Sequence, residues 1–467
     1  MKIAFLAPAG AMHRHHGSFG IGVHYAPLTL TTLAALVPEE LGAELVIHDE
    51  TAGPIPLDCD ADLICITAIT GTAARAYAYA DWFRSQGRTV ALGGVHPTML
   101  PDEAQQHADA VVTGFAEQTF PQLCRDFAAG QLQPRYVQNA DYTIVGRPTP
   151  RRDLLNKRRY ITTNTVEVVR GCALGCTFCA YPTAFGSTVH KRPVAEVIAE
   201  IEALPGTYVA IPDINLLTGR AWTTEFFTAL APLKKKWMGL VTSAIGSDDE
   251  MIKLFERSGC QGLLIGFESI NEESQKFFHK RVNKVGGYPV LMRKLHDAGI
   301  AVQGCFAFGG DDEDTSVFER TVEMVSETKM DLPRYSILTP FPNTAYYRQL
   351  ESEGRIIERE WPMYDVEHVV YEPKKMTRDE LYAGITWAWD ETYKLSAIAQ
   401  RLAPFDRAPL VSGITNLFGY RGYAKKFTQF PRERMVDNSD IPAPDVVPPG
   451  APLKGTAPGS RQLRVLQ

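Results

Sequence analysis

The stretch RGCALGCTFCAYPTAFG, residues 170–186, contains three cysteines within eight residues. Cys172, Cys176 and Cys179 have the spacing C-x3-C-x2-C, whereas a structural zinc site usually has four ligands and disulfides need an even number. Thiolates are soft ligands that favour iron–sulfur clusters or zinc. Three thiolates can hold three corners of a cubane 4Fe–4S cluster and leave its fourth iron open to a small molecule. Phe178 stands beside the last cysteine, where an aromatic ring can pack against the base of that molecule.

The cysteine loop directly follows the apolar run TVEVVR, the first of six strand-like segments that alternate with helical ones. The other five are TYVAIPD, GLVTSA, GLLIGF, AVQGCFAFG and RYSILTP. Six β/α units predict a partial (β/α)6 barrel, and such barrels carry their chemistry at the C-terminal ends of the strands. The cysteines stand at such an end, so we expect the active site there.

The N-terminal part of the chain shows a second alternating series. KIAFLAP, AELVIHD, ADLICITAIT, RTVALGG and DAVVTG are apolar runs separated by helical stretches. This pattern predicts an α/β domain with a Rossmann-like parallel sheet, which binds ligands outside the carboxyl ends of its strands. The predicted divisions are 1–135 (Rossmann-like domain), 136–163 (linker), 164–345 (partial barrel), 346–430 (helical C-terminal domain) and 431–467 (a Pro-rich tail predicted to be disordered).

The composition narrows the functional classes. The chain has 467 residues, 45% of them hydrophobic, and its net charge of −6 argues against nucleic acid as a partner. No apolar run approaches the roughly 18 residues of a membrane span. Eight cysteines, three of them crowded together, fit a reducing compartment. We therefore expect a cytoplasmic protein without a transmembrane segment.

The cysteine motif after the first barrel strand resembles the signature of the radical S-adenosylmethionine (radical SAM) superfamily. SGCQGLLIGFESIN and ILTPFPNTAYYRQLESEGRI are similar to the barrel of its cobalamin-binding, class B methyltransferase-like members, and the N-terminal half is similar to their cobalamin-binding domain. The resemblance covers residues 1 to about 400. It implies that Cys172, Cys176 and Cys179 hold a 4Fe–4S cluster whose open iron binds S-adenosylmethionine (SAM).

The same resemblance implies a set of SAM contacts at the ends of barrel strands. These candidates are Phe178, Asp213, Asn215, Ser243 and Glu268. Each polar member has an alternative interpretation as a strand-end cap or a turn former. Two positions depart from the family pattern: Pro212 or Ile214 stands where many relatives have a second acidic residue, and Asn343 replaces the usual glycine of TPFPGT.

Cobalamin is the third cofactor that the resemblance implies. Candidate contacts end three successive strands of the N-terminal series, where glycines permit close approach and hydroxyls supply polar groups. They are Thr67, Thr70, Gly93, Gly94, His96, Pro97, Gly114 and Glu117.

Many cobalamin domains carry D-x-H-x-x-G, whose histidine binds cobalt from below. Here HDETAGP offers Asp49 but has Thr51 in the place of the histidine. We therefore expect cobalamin with its own base displaced and no protein imidazole on cobalt. The run MHRHHG, with His13, His15 and His16, is interpreted as a mobile loop, because no acidic or cysteine partner is nearby.

These cofactors imply a radical methyltransferase that acts on an unactivated carbon of a small-molecule or lipid-like substrate, through methylcobalamin and a 5′-deoxyadenosyl radical. An external donor such as flavodoxin or ferredoxin would supply electrons. An oxidative cyclase or rearrangement enzyme would share the cofactors, since a fold does not determine the reaction. Product mass distinguishes them, because methylation adds about 14 Da and ring closure removes about 2 Da.

Three further alternatives are less favoured. A zinc knuckle would need a fourth ligand such as His190. An RNA methylthiotransferase would need a second cluster on Cys59, Cys65 and Cys124, but the last two are in a strand and a helix and are expected to be core thiols. A non-catalytic sensor lacks any DNA-binding motif.

The linker around Pro148 and Pro150 is long enough to turn the two sets of strand ends toward each other. We therefore predict a shared cavity, with the cysteine loop on one wall and the loops at Thr67, Gly94 and Gly114 opposite. The helical region around residues 387–393 is predicted to cover it.

Overall fold

The computed structural model of this protein describes residues 1–10, 26–139, 142–280, 282–402, 415–422, 424 and 438–443. The histidines of MHRHHG and most of the Pro-rich tail lie outside the described residues.

The N-terminal sheet is parallel throughout and has six strands in the order β2-β1-β3-β4-β5-β6. The strands are β1 (Lys2–Ala7), β2 (Glu44–Asp49), β3 (Leu63–Thr67), β4 (Thr89–Gly93), β5 (Ala110–Thr113) and β6 (Arg135–Val137). The first five coincide with the apolar runs of the sequence. The sixth strand lies where the sequence predicted the linker to begin. It was missed because it is short and only its central residue is buried.

Helices cover both faces of this sheet, as its continuous apolar strands require. They are α1 (Leu28–Ala35), α2 (Ala73–Ser85), α3 (Val95–Met99), α4 (Pro101–Ala104) and α5 (Thr119–Ala128). One core cluster joins α1 and α5 to one face, and a second joins α2 and α4 to the other.

The barrel sheet is also parallel and has the order β13-β12-β11-β10-β9. Its strands are β9 (Tyr208–Ile211), β10 (Lys236–Val241), β11 (Cys260–Glu268), β12 (Ala301–Phe308) and β13 (Leu332–Ile337). The flanking helices are α7 (Val194–Ala203), α8 (Arg220–Leu230), α9 (Asp249–Arg257), α10 (Glu272–Phe277), α11 (Tyr288–Asp297) and α12 (Ser316–Glu327). We call the C-terminal ends of β9–β13 the upper rim and their N-terminal ends the lower rim.

The predicted first barrel strand, TVEVVR, is only partly a strand. Thr165 forms a parallel bridge with Ala210 of β9. Beyond it the chain leaves the sheet, and β7 (Val169–Arg170) forms an antiparallel pair with β8 (His190–Lys191). Asp213 accounts for the departure, because its carboxylate accepts the backbone N–H groups of Val168 and Val169, and the first of these is the one that a continuing strand would give to β9.

The C-terminal part is helical, with α13 (Ala345–Ser352), α14 (Arg378–Tyr393) and α15 (Leu395–Leu402). The prediction that α14 covers the shared cavity is wrong. Trp389 and Tyr393 are buried in the barrel core, where Trp389 packs edge-on against Tyr335 of β13 at 5.5 Å. The helix therefore flanks the last strand, as the helix of a β/α unit does.

Candidate functional site

The cysteine loop joins β7 to α6 (Ala180–Phe185). Gly171 has a φ of +110°, and a Cβ there would overlap the carbonyl of Thr188, so only glycine fits. The N–H of Thr177 donates to the carbonyl of Phe278 (3.3 Å), and its carbonyl accepts from the N–H of Tyr346 (3.0 Å). Contacts from two other parts of the upper rim thus fix the loop.

The three cysteines are free and half-buried. Burial raises the pKa of the Cys176 thiol to about 12 and also raises the pKa of Cys179, while the Lys280 ammonium opposes both shifts. Without metal the thiols of Cys176 and Cys179 are therefore protonated, and iron displaces those protons when it binds. Among the described residues no three His, Cys, Asp or Glu side chains converge on one ion. A cubane needs no such convergence, because each thiolate binds a different iron, so this loop fits the cluster.

A buried ion pair that the sequence did not reveal lies beside the cysteines. Lys280 is 8% exposed and pairs with Glu268 at the end of β11. Burial works to lower the pKa of Lys280, but the Glu268 carboxylate outweighs it and the pKa is raised. The ammonium is therefore charged, and it lies near the thiols of Cys176 and Cys179, where a bound cluster would bring negative charge. The pairing depends on a loop 12 residues downstream of Glu268, which no local pattern indicates.

The backbone at this pair is specialised. Glu268 has a φ of +60°, and the register between β11 and β12 shifts next to it. A Cβ at Gly266 would lie 2.6 Å from the Lys280 ammonium, so the glycine admits the pair. Left-handed backbone in a non-glycine residue is costly and concentrates at functional sites. Gly266 in the motif GLLIGFES was the one sequence signal for a close approach.

Asp213 is buried at the end of β9, but its carboxylate holds backbone. Its Oδ2 accepts the N–H groups of Val168 (2.8 Å) and Val169 (2.7 Å). Burial, followed by the charge of Glu167, raises its pKa well above the usual range. The structure thus gives Asp213 the role of shaping the strand that leads into the cysteine loop.

The remaining predicted SAM contacts lie near the upper rim and are engaged within the protein. Asn215 forms a turn by accepting from the N–H of Leu217 (3.1 Å). The hydroxyl of Ser243 donates to Asn283 Oδ1 (2.5 Å), in the loop that follows Lys280. The Phe178 ring packs edge-on against Phe278 at 5.2 Å.

The predicted cobalamin contacts lie together at the C-terminal edge of the N-terminal sheet. Gly94 has a φ of +104°, and a Cβ there would lie 2.8 Å from Thr67 Oγ1. Gly114 also has a positive φ, of +77°. Gly93 and Pro97 flank this approach. The edge of the sheet is therefore built from backbone that tolerates close packing.

Two of these candidate residues are already bonded to other side chains of the protein. His96 is fully buried, with Nδ1 3.3 Å from Thr70 and Nε2 3.1 Å from Glu103. Glu103 also accepts from Trp361 Nε1 (3.0 Å), so the imidazole ties the sheet to the C-terminal part. Glu117 pairs with Arg170 of β7 (2.6 Å). Sequence reasoning placed both residues at the correct edge but could not see these partners.

Thr51 occupies the position where many cobalamin domains have histidine. Its hydroxyl (2.8 Å) and N–H (3.0 Å) both donate to Asp49 Oδ1. Tyr160 donates to the other oxygen of the same carboxylate (3.0 Å). Asp49 thus connects the loop after β2 with Tyr160 of the linker.

The two strand edges meet through the pair formed by Arg170 and Glu117. The Arg170 guanidinium also lies 4.5 Å from the centre of the Phe115 ring, and Phe115 stacks on Phe185 of α6 at 4.3 Å. Tyr142 of the linker also stacks on the Phe115 ring, at 4.8 Å. We call Phe115, Glu117, Tyr142 and Arg170 the latch. It connects the end of β5 with the residue that stands two positions before Cys172.

Two further contacts support the same arrangement. Helix α3, which follows β4, packs against α6, which follows Cys179. Asn343 Nδ2 donates to the carbonyl of Met99 (2.6 Å). Asn343 has a φ of +59°, which asparagine tolerates better than most residues, and this explains its place where the family has glycine. The two edges therefore meet as expected, and the cavity between them stays a prediction.

The alternative ligands behave as ordinary core residues. His190 packs edge-on against Tyr142 at 4.2 Å. Cys65 and Cys124 are buried in one core cluster, whereas Cys59 packs against the cluster on the other face of the sheet. These contacts do not assemble a second cysteine cluster among the described residues. In the part of the chain that the structure describes, no helix is long and apolar enough to span a membrane.

Comparison with known proteins identifies the family. The family model described as the radical SAM superfamily matches residues 166–325. The bacteriochlorophyllide d C-12(1)-methyltransferase of Chlorobaculum tepidum is 30% identical over 80% of this chain and 84% of its own length. The chain belongs to the radical SAM superfamily. Its cofactors are therefore a 4Fe–4S cluster and SAM, and Cys172, Cys176 and Cys179 carry the family motif.

Two other comparisons extend this result. The anaerobic magnesium-protoporphyrin IX monomethyl ester cyclase of Cereibacter sphaeroides is 22% identical over 85% of this chain and 71% of its own. The radical SAM methyltransferase TsrM from Kitasatospora setae, solved with cobalamin and a [4Fe–4S] cluster, superposes with a TM-score of 0.57 at 16% identity. The superposition covers 75% of this chain and 78% of TsrM, and it shows a shared fold. The protein is a radical SAM enzyme whose relatives include C-methyltransferases.

Proposed function

We propose that this protein is a cobalamin-dependent radical SAM C-methyltransferase that methylates an unactivated carbon of a small-molecule or lipid-like substrate. The N-terminal sheet, β1–β6, would be the cobalamin domain and β9–β13 the catalytic barrel. Support comes from methyltransferases among the relatives and from the TsrM fold over three quarters of the chain.

The observation that carries the proposal is the docking of the N-terminal strand edge onto the cysteine loop. A methyl donor and a hydrogen-abstracting group must both reach one substrate carbon, so their sites must be adjacent. The contact of α3 with α6 and the latch bring the ends of β4 and β5 next to the cysteine loop.

When bound, the cluster supplies the electron for SAM cleavage, received from a donor such as flavodoxin or ferredoxin, and cobalamin supplies a methyl carrier. The three cysteines would hold the cluster, and the charged Lys280 would face its negative charge. Glu268 would orient Lys280 and accept hydrogen bonds from SAM. Thr67, Gly93, Gly94 and Gly114 would line the cobalamin site through backbone and hydroxyl groups.

A cyclase that uses the same cofactors is the second candidate, because the Cereibacter sphaeroides relative is one. Methylation is favoured by the higher identity of the methyltransferase relative. Product mass separates the reactions, as a gain of about 14 Da or a loss of about 2 Da.

The proposal is tested with full-length protein reconstituted anaerobically with iron, sulfide and hydroxocobalamin. We expect about one cobalamin per chain and SAM-dependent mass gain in a tetrapyrrole or hopanoid acceptor. The EPR spectrum of cob(II)alamin should lack hyperfine splitting from an imidazole nitrogen, since Thr51 replaces the histidine. Failure to bind cobalamin, or a product that loses mass, would refute it.

A further inference from the structure

A buried histidine–aspartate pair lies on the segment between α13 and α14. The carboxylate of Asp365 accepts a hydrogen bond from His368 Nδ1, at 2.9 Å from both oxygens. The side chain of His368 is 10% exposed and that of Asp365 is 1% exposed. In the neutral imidazole this hydrogen bond places the proton on Nδ1, and Nε2 then presents its lone pair. No residue that the structure describes forms a hydrogen bond with Nε2.

The pair lies where the upper rim meets the N-terminal sheet. The carbonyl of Val366 accepts from the N–H of Ile337 at the end of β13 (2.8 Å). On the other side, a Cβ at Gly71, in the loop after β3, would lie 3.6 Å from the Cβ of Asp365. The histidine is therefore anchored at the junction of the two strand edges.

The turn that holds the pair is strained. Val366 has a φ of +65°, which is a genuine outlier for a β-branched residue. Such a conformation costs about 1–3 kcal/mol and persists only where surrounding contacts impose it. Here those contacts fix the carboxylate, which accepts from the N–H groups of Glu367 (2.9 Å) and His368 (3.1 Å) as well as from the ring.

An imidazole whose Nδ1–H is held by a buried carboxylate is the arrangement in which proteins present Nε2 to a metal. The carboxylate fixes the tautomer and raises the basicity of the ligand. A single imidazole binds a free ion weakly, but a metal at the centre of a tetrapyrrole brings four ring nitrogens and needs only an axial ligand. Relatives named for bacteriochlorophyllide and magnesium-protoporphyrin act on such rings.

We propose that His368 Nε2 is the axial ligand for the central magnesium of a tetrapyrrole substrate, with Asp365 as its positioning residue. The inference rests on the proposed function and names its substrate class. The ligand chemistry is a metal within a planar macrocycle, and cobalamin is the other possible source of such a metal. We assign the substrate, because the pair stands on the barrel side of the junction, on the segment that continues from β13 through α13.

The test compares magnesium-protoporphyrin IX monomethyl ester with the metal-free ester of the same ring. Both are titrated, without SAM, into full-length reconstituted protein, and binding is followed by tetrapyrrole fluorescence and absorption. We expect the wild type to bind the magnesium form at least about tenfold more tightly than the metal-free form. His368→Gln should reduce this ratio to about one, and Asp365→Asn should give an intermediate ratio. Added imidazole should restore the ratio in His368→Ala.

His296→Gln is the matched control, because His296 also forms a buried pair with an aspartate, at the lower rim. It should keep the wild-type ratio. The ratio compares two ligands within one variant, so it does not depend on the folded fraction. Equal binding of both forms by the wild type, or a ratio unchanged in His368→Gln, would overturn the inference. A change in the cobalamin spectrum of His368→Gln without tetrapyrrole would instead assign the histidine to cobalt and overturn the substrate role. Loss of methylation in a protein with the expected binding ratios would refute only the proposed function.

Discussion

Each rim of the barrel sheet carries a buried histidine–aspartate pair, and the two pairs are used differently. At the lower rim, Asp331 accepts from His296 Nε2 (3.0 Å) and from the N–H of Val302 (2.9 Å), so the pair fastens the start of β12. At the upper rim, the hydrogen bonds of the Asp365 carboxylate stay within its own turn and hold His368. The lower pair therefore stabilises the sheet, whereas the upper pair presents a side chain.

Backbone conformation shows the same difference. At the lower rim, Lys329 has a φ of +51°, but it directly follows the C-cap of α12, where a left-handed residue is ordinary. At the upper rim, Glu268 (+60°), Asn343 (+59°) and Val366 (+65°) do not follow helices. Their conformations are imposed by tertiary contacts. The upper rim therefore keeps costly backbone conformations where the barrel carries its chemistry, and the lower rim does not.

The largest effect is expected at the cysteine loop. Replacing Cys172, Cys176 and Cys179 together by alanine should abolish both iron binding and SAM cleavage, because no thiolate remains to hold the cluster. Iron content, EPR and 5′-deoxyadenosine release measure this. Cys124→Ala, in the N-terminal core, is the matched control and should retain all three. A redox-active cubane in the triple variant would contradict the assignment.

The second largest effect comes from comparing a substitution at the upper rim with one at the lower rim. Lys280→Met should lower kcat/KM for SAM cleavage by about 100-fold, or about 2.7 kcal/mol, because the charge beside the cluster is lost. It also leaves Glu268 buried without its partner, so the double variant Glu268→Gln/Lys280→Met should be more stable than Lys280→Met yet at least as impaired. Asp331→Asn, at the lower rim, should lower Tm but leave kcat/KM within about twofold of the wild type. If Asp331→Asn lowered kcat/KM while its Tm stayed normal, the two rims would not differ in function as we propose.

The same contrast explains what the sequence could predict. Apolar periodicity located five strands in each sheet, and the cysteine spacing located the cluster loop, because both are local patterns. The departure of the first barrel strand depends on Asp213, which lies more than 40 residues away. Lys280 and His368 were missed for a similar reason, since burial and partners define them and their neighbours in sequence do not. Helix α14 was misplaced because an amphipathic helix does not reveal which surface it covers.

The latch tests whether the two strand edges act together. Arg170→Lys keeps the charge but removes the planar group that lies on the Phe115 ring and the bidentate contacts with Glu167. We expect SAM cleavage without substrate to stay within about twofold, while methyl transfer per SAM cleaved falls about tenfold.

The control for the latch is Arg220→Lys, in an exposed ion pair, which should change neither quantity. Exchange of backbone hydrogens in residues 113–117 should also be faster in Arg170→Lys, because the loop loses its anchor. An equal fall in both half-reactions would show that Arg170 supports only the cysteine loop.

The smallest effect is a pH dependence of stability at the upper rim. Glu313 follows β12, accepts from the N–H groups of Gly309 (2.9 Å) and Gly310 (3.1 Å), and pairs with Ser269. Burial raises the pKa of Glu313 to about 7 despite these donors. Between its ordinary pKa and 7 the folded state therefore holds a proton that the unfolded state has released.

The free energy of unfolding contributed by this carboxyl accordingly decreases as pH rises from about 4.5 to 7, by at most about 3 kcal/mol, and is constant above about 8. Glu313→Gln remains uncharged and should lack this slope. Urea unfolding of the cofactor-free protein between pH 5 and 8 gives the difference between wild type and variant, in which all other titrating groups cancel. Glu380→Gln is the control of opposite sign, because hydrogen bonds from Thr377 lower the pKa of that exposed carboxyl and place its effect at lower pH. A wild type that gains stability relative to Glu313→Gln as pH rises would show that the carboxylate, and not the acid, is the form that the upper rim holds.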